Sequence, residues 1–312
     1  MAHARPFRFG IQLATATSGT DWAEQARRAE GLGFSSLLMP DHFGDQLSPI
    51  PALMAAADAT TALRIGALVH DNDYKHPVVL AKEAATIDVL SGGRLELGIG
   101  AGWMNTDYEQ SGIPKDPAGV RIDKLAEALD VIEGLFGDGP FDFDGKHYDI
   151  TGLDGLPKPL QKPRPPFMIG GGGKRVLSLA ARRAEIVGIA PRAHTGAVDA
   201  EAAATGTGPE TDKKLTYIRE AAGDRYSDIE INVLLFAVLP AEDPGPSYEM
   251  LAGIFGIDAS EGPDVPHVLV GTTDAMCEQL EARRERWDMS YIICQGDALD
   301  AMTPVVAKLA GT

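Results

Sequence analysis

The chain has 312 residues, 44% of them apolar and 23% charged, values of an ordinary globular protein long enough for one large barrel or two smaller domains. Lys and Arg number 28 against 45 Asp and Glu, a formal net charge of −17, which excludes nucleic acid and anionic membrane surfaces as expected partners because both reward a basic face. No apolar run approaches the roughly 18 residues of a membrane span, and the short basic start has no apolar stretch behind it, so the expected compartment is the cytoplasm.

Short apolar runs alternate with helical patterns along the whole chain. Residues 7–13 read as a first strand, followed by a helix capped at Thr20 or Asp21 that carries Trp22, Ala26 and Ala29 on one face. Residues 34–39 form a second strand, 51–59 a short helix and 63–69 a third strand. Pro77 opens the third helix, where its missing N–H costs nothing, and Gly92-Gly93 closes it. Residues 95–99 give the fourth strand and 120–136 the fourth helix. Alternation around Asp144-Gly145 predicts an inserted hairpin, with a Pro-rich connector over 157–166. The fifth strand, 167–169, runs through Gly170-Gly171-Gly172-Gly173 into a helix ending at Arg183. Residues 185–190 are the sixth strand, 194–209 a mobile loop, 212–222 the sixth helix and 229–239 the seventh strand. Residues 241–270 are irregular apart from a short helix near 249–255; a helix over 273–287, the eighth strand 291–294 and a helix over 299–309 complete the chain. Cys277 and Cys294 lack metal-type spacing and read as buried free thiols.

Eight strands, each followed by a helix, predict an α/β fold: a single (β/α)8 TIM barrel over 1–312, with insertions near 101–118, 137–165, 191–209 and 241–270. A doubly wound open sheet is the competing architecture, weakened because no G-x-G-x-x-G follows the first strand. In a barrel the chemistry lies at the C-terminal strand ends. Those ends carry Pro40-Asp41-His42-Phe43, His70-Asp71-Asn72-Asp73, Gly98-Ile99-Gly100-Ala101-Gly102-Trp103 and the four glycines.

The stretch from Leu63 to Trp103 resembles the signature block of the bacterial luciferase-like monooxygenase family. Pro40-Asp41-His42-Phe43 is similar to the second-strand motif of its coenzyme F420-dependent branch, and Pro166 to Gly172 and Val268 to Thr272 look like later family blocks. The resemblance implies a deazaflavin or flavin across the barrel mouth, a small-molecule substrate and a homodimer. It also implies that His42 stands beside the ring and moves the proton accompanying hydride transfer at C5, a task suited to an imidazole; the alternative is a histidine packed on its loop. Asp41 would accept a hydrogen bond from the ring or orient His42, or simply cap a turn. Ala67-Leu68 align with a non-proline cis peptide of relatives that supports the ring. Gly100 and Ala101 would let the cofactor approach backbone, and Asn72 would bond the ring edge.

Gly171, Gly172, Gly173 and Lys174 lead into a helix and suit a phosphate, whereas Lys174 there opposes the helix dipole unless an anion is present. A tight turn is the other reading. Trp103 and Tyr108 would wall the substrate pocket, or serve as packing. His70, Asp71, Asp73 and His76 form no expected metal site, since neighbouring strand residues point to opposite faces. Sugar-phosphate dehydrogenases of the family carry a glutamate where Ala101 stands and a tryptophan where Gln46 stands. Their absence argues against a sugar-phosphate substrate and leaves His42 with no evident carboxylate partner. The expected function is an F420-dependent oxidoreductase acting on a small organic molecule. An FMN-dependent luciferase-like monooxygenase and a non-catalytic cofactor-binding barrel are the alternatives.

Overall fold

The computed structural model describes residues 5–197 and 199–312. Eight barrel strands follow one another in the chain: β1 (Arg8–Gln12), β2 (Ser36–Met39), β3 (Arg64–Ala67), β4 (Leu95–Gly100), β5 (Phe167–Gly171), β6 (Ile186–Ile189), β7 (Glu230–Leu235) and β8 (Met289–Gln295). Each pairs in parallel with the next, and β1 closes on β8 from Arg8↔Tyr291 to Gln12↔Gln295. The sheet is a closed (β/α)8 barrel, so the open-sheet alternative falls. Around it run α1 (Gly19–Gly31), α2 (Pro49–Ala59), α3 (Pro77–Leu90), α4 (Ala118–Phe136), α5 (Lys174–Arg183), α6 (Gly208–Ala222), α7 (Thr273–Trp287) and α8 (Leu299–Leu309).

The period-2 geometry of strands sorts their residues between two buried environments. Phe9, Ile11, Leu37, Met39, Ile65, Leu97, Ile99, Phe167 and Ile169 face the helices in one continuous apolar cluster. The opposite set lines the lumen. Its middle layer is apolar, with Leu38, Met168, Ile186 and Ile293 fully or nearly buried and Leu68, Val69 and Leu234 packed against them. Its N-terminal floor is charged: Glu96 accepts from Arg8, from Arg64 and from the Tyr291 hydroxyl, while Arg8 also grips Glu230 and lies 3.4 Å over the Tyr291 ring.

Several element boundaries differ from expectation for local reasons. Ser18, rather than Thr20 or Asp21, caps α1 by accepting the Asp21 N–H. The segment expected as a mobile loop over 194–209 holds a short helix, Ala200–Ala204, capped by Asp199, and α6 begins early because Pro209 fits its first turn. The seventh strand breaks at Phe236. Beyond it Ala237–Pro240 leaves the barrel and pairs in parallel with Val268–Gly271, over a small core of Leu251, Phe255, Val265, Val268 and Val270. The hairpin is present as Pro140–Asp144 paired with Asp149–Asp154. Cys277 and Cys294 are buried and unpaired. Among the described residues no helix is long and apolar enough to cross a membrane.

The extra sheet is stitched down by two buried side chains. Arg283 donates to the carbonyls of Pro263, Val265, Pro266 and Val268. His267 stacks on Phe236 with centroids 4.9 Å apart, and its Nδ1 meets the Leu234 carbonyl at 3.1 Å, so Nδ1 carries the proton. Burial, helped by the nearby Lys214 and Arg283 and opposed by that hydrogen bond, pushes the imidazole down to about 3. A depressed histidine favours the neutral form, so its contribution is complete above about pH 6.5 and is lost as pH falls toward the folded value. His267→Asn is therefore expected to be less stable than wild type at pH 7.5, with the gap narrowing by about 2 kcal/mol at pH 5 at 1.36 kcal/mol per unit. Thermal melts at the two pH values read this; a constant gap would refute it.

Candidate functional site at the barrel mouth

The loop after β2 places His42 at the C-terminal rim, about a quarter of its side chain exposed. Its Nδ1 lies 2.6 Å from Asp107 Oδ2. Asp107 is nearly buried on a short helix, Asn105–Ser111, in the loop after β4, and it also receives the Tyr74 hydroxyl at 2.9 Å and the Phe43 N–H at 3.3 Å. Burial would raise this carboxyl, but the hydrogen bonds from His42, Tyr74 and Phe43 outweigh it and hold Asp107 below the usual carboxylate range. An ionised carboxylate only accepts, so the His42 proton sits on Nδ1 whenever the ring is neutral. Nε2 is left without a protein partner among the described residues. Trp103 stands edge-on to the imidazole at 5.7 Å. His42 thus has a carboxylate partner in place of the glutamate missing at Ala101, and it comes from a segment with no readable pattern.

Asp41 does not orient His42. Its Oδ2 meets His70 Nδ1 and the Asp71 N–H, each at 3.2 Å, tying the end of β2 to the chain beyond β3. The cis peptide is Leu68–Val69, one bond later than expected, because Ala67 still pairs with Met39 in the strand register. After it His70–Asp71 pairs with Ile99–Gly100. This bulge fills the space assigned to a cofactor at Gly100: a Cβ there would stand 2.6 Å from Val69, and at Gly98 it would strike the Ala67 carbonyl. Gly98 admits the Ala67 backbone and Gly100 the Val69 side chain. Ala101 offers its carbonyl to Arg121. Asn72 is buried with its amide donating to the Tyr148 hydroxyl, so it faces the hairpin tip, while its Oδ1 has no partner among the described residues.

Tyr108 is packing rather than a pocket wall. It is 3% exposed, and its hydroxyl reaches the carboxylates of Asp71 and Asp73. Burial and the like charges of Asp73 and Asp41 push Asp71 up to about 6, against hydrogen bonds from the Asp73 N–H and Tyr108.

At the glycine loop, a Cβ on Gly172 would stand 2.7 Å from the Ala190 carbonyl and the Arg192 backbone, so that glycine lets the loop after β6 lie on the loop after β5. A Cβ on Gly171 would instead strike the Val176 side chain of α5. Gly173 is the N-cap of α5 and supplies no side chain to its first-turn amides. Lys174 turns outward, over the Tyr217 ring at 5.0 Å and near Glu220, away from the expected phosphate role. The cation at this helix start is Arg192, its Cδ 3.9 Å from where a Gly173 Cβ would stand. Among the described residues the Arg192 guanidinium has no hydrogen-bond or ion-pair partner. It lay in a patternless segment, and no spacing rule pointed to it.

Residues 1–221 match the luciferase-like monooxygenase family model, about 70% of the chain. The chain belongs to that family. An uncharacterized protein of Mycobacterium tuberculosis strain H37Rv is 31% identical over 189 residues, 53% of this chain and 64% of that protein, so the match spans less than two thirds of the relative. Among solved structures, the coenzyme F420-dependent tetrahydromethanopterin reductase from Methanopyrus kandleri superposes with a TM-score of 0.78 at 18% identity, covering 98% of this chain and 99% of that one. The FMN-bound oxygenating constituent of 3,6-diketocamphane monooxygenase from Pseudomonas putida gives 0.72 at 18% identity, covering 98% of both. These likenesses show the barrel fold shared by deazaflavin and flavin enzymes.

Proposed function

We propose that this luciferase-like protein is an F420-dependent oxidoreductase exchanging hydride with a small organic substrate. The observation that carries the reading is His42, held through Nδ1 by an ionised Asp107 at the rim of β2, with Nε2 unclaimed. The residues at the mouth fit a ring with an anionic tail: Leu68 and Val69 present partly buried apolar surface from the lumen, and the unpartnered Arg192 flanks the uncapped start of α5. When bound, the deazaflavin supplies two-electron hydride chemistry. This chain's part is to position the ring, exclude water and hold or release a proton at His42 Nε2. Trp103 walls the side of that proton path. A small-molecule substrate, a cytoplasmic setting and a homodimer belong to the same proposal.

Binding titrations test it. F420 is expected to bind more tightly than FMN, and Arg192→Ala is expected to weaken F420 by about tenfold or more, the scale of one charge-assisted hydrogen bond. The same variant should leave the tail-less deazaflavin riboside unchanged. Micromolar FMN binding without F420 binding would move the protein to the flavin monooxygenases, and equal losses for both ligands would remove Arg192 from the tail site.

A further inference from the structure

The loop after β6 reaches the short helix in the loop after β4 and is fastened at both ends. At its root, Lys214 is buried on α6 and donates to the carbonyls of Ala190 at 2.7 Å and Thr205 at 2.6 Å, while the Arg192 N–H donates to Thr205 Oγ1 at 2.6 Å. At its far side, the Asn105 N–H donates to the Gly196 carbonyl and Asn105 Nδ2 to the Thr195 carbonyl, each at 2.9 Å. Lys115 holds the Asn105 side-chain oxygen from below and the Trp103 carbonyl at 2.7 Å. The approach is close enough that a Cβ on Gly196, whose φ is +76°, would strike the Asn105 amide.

Asn105 is the first residue of the short helix Asn105–Ser111, and Asp107 stands two residues further along in its first turn. A seven-residue helix has few hydrogen bonds of its own and depends on its contacts for position. Its contacts are the loop at its first residue, His42, Tyr74 and Phe43 around Asp107, and the buried Tyr108, whose hydroxyl ties the next residue to Asp71 and Asp73. We infer that Asn105 is a latch through which closure of residues 191–197 over the mouth sets Asp107 against His42, making the proton-handling dyad conditional on a closed site. This rests on the proposed role of His42, but the link itself is a property of the protein alone. Closing first and completing the dyad second keeps an exposed site from moving protons before water is excluded. Among the described residues Asn105 bonds to Thr195, Gly196 and Lys115 and not to His42, so it acts as a positioning residue.

Two variants open the latch from opposite sides: Asn105→Ala removes both side-chain bonds, and Gly196→Ala introduces the clash without altering the short helix. Hydrogen–deuterium exchange reports the loop, and long-range 1H–15N spectra of histidine-labelled protein report the His42 tautomer, with His42→Ala identifying its signals. Circular dichroism confirms that each variant folds. In both, exchange of residues 191–197 is expected to rise at least tenfold, and His42 is expected to shift from the Nδ1–H form toward the tautomer mixture expected of Asp107→Asn. Faster loop exchange with an unchanged His42 tautomer in either folded variant would overturn the coupling. Unchanged exchange in both would overturn the latch. Loss of turnover in His42→Ala is a separate measurement, so failure of the catalytic reading and failure of the latch are told apart.

Discussion

Replacing His42 with alanine is expected to lower hydride transfer by about 10²–10⁴-fold, the usual contribution of a positioned general acid–base. F420 affinity should change little, because the proposed tail site, Arg192 and the start of α5, is untouched. The measurement is single-turnover oxidation or reduction of bound F420 with a substrate found by screening. Asp107→Asn should lose less, about 10–100-fold, the range for partners that orient a functional group from behind. Its amide can still meet Nδ1 but no longer enforces the tautomer. Turnover unchanged in His42→Ala would take the proton role away from this residue, whatever cofactor is bound.

The barrel was legible because its signal is repeated eight times. Each apolar run and each helical period is weak alone, but their alternation admits few architectures, and the last two helices fall where the pattern put them. The candidate site was legible only where it sits on a strand end. His42 follows β2 directly, so a geometric rule reached it; Asp107 and Arg192 ride on loops whose course is set by tertiary contacts that leave no periodic trace. The glycines mislead in an instructive way. Gly98, Gly100 and Gly172 are small because another stretch of this chain passes over them, a demand indistinguishable in sequence from the approach of a cofactor. Lys174 misleads because its first-turn position suggests an anion, whereas its side chain is engaged by Tyr217 and Glu220 on the helical layer.

The charged floor of the lumen carries the largest expected effect on stability. Arg8, Arg64 and Glu96 alternate with large apolar residues, a pattern that in an ordinary half-exposed strand means a solvated face. A closed barrel has no such face, so the three meet inside. Glu96 is 2% exposed; burial would raise its carboxyl, but Arg8 and Arg64 outweigh that and hold it below the usual range. Glu96→Leu removes the one acceptor between two guanidinium groups and is expected to cost about 3–5 kcal/mol, the penalty for stripping one partner from a buried ion pair. The sign with pH follows from the lowered value. The stabilisation is complete above the unfolded glutamate range near 4.3 and disappears as pH falls through the folded value, so the difference between wild type and variant should shrink in acid. Adding Arg64→Leu to Glu96→Leu should recover part of the loss, because the double variant no longer strands that cation. Urea denaturation at neutral pH decides the matter: a loss below about 1 kcal/mol in the single variant would place the network with surface ion pairs. A double variant less stable than the single one would show that Arg64 is held by its bonds to the Leu95 carbonyl and Gln161 independently of Glu96.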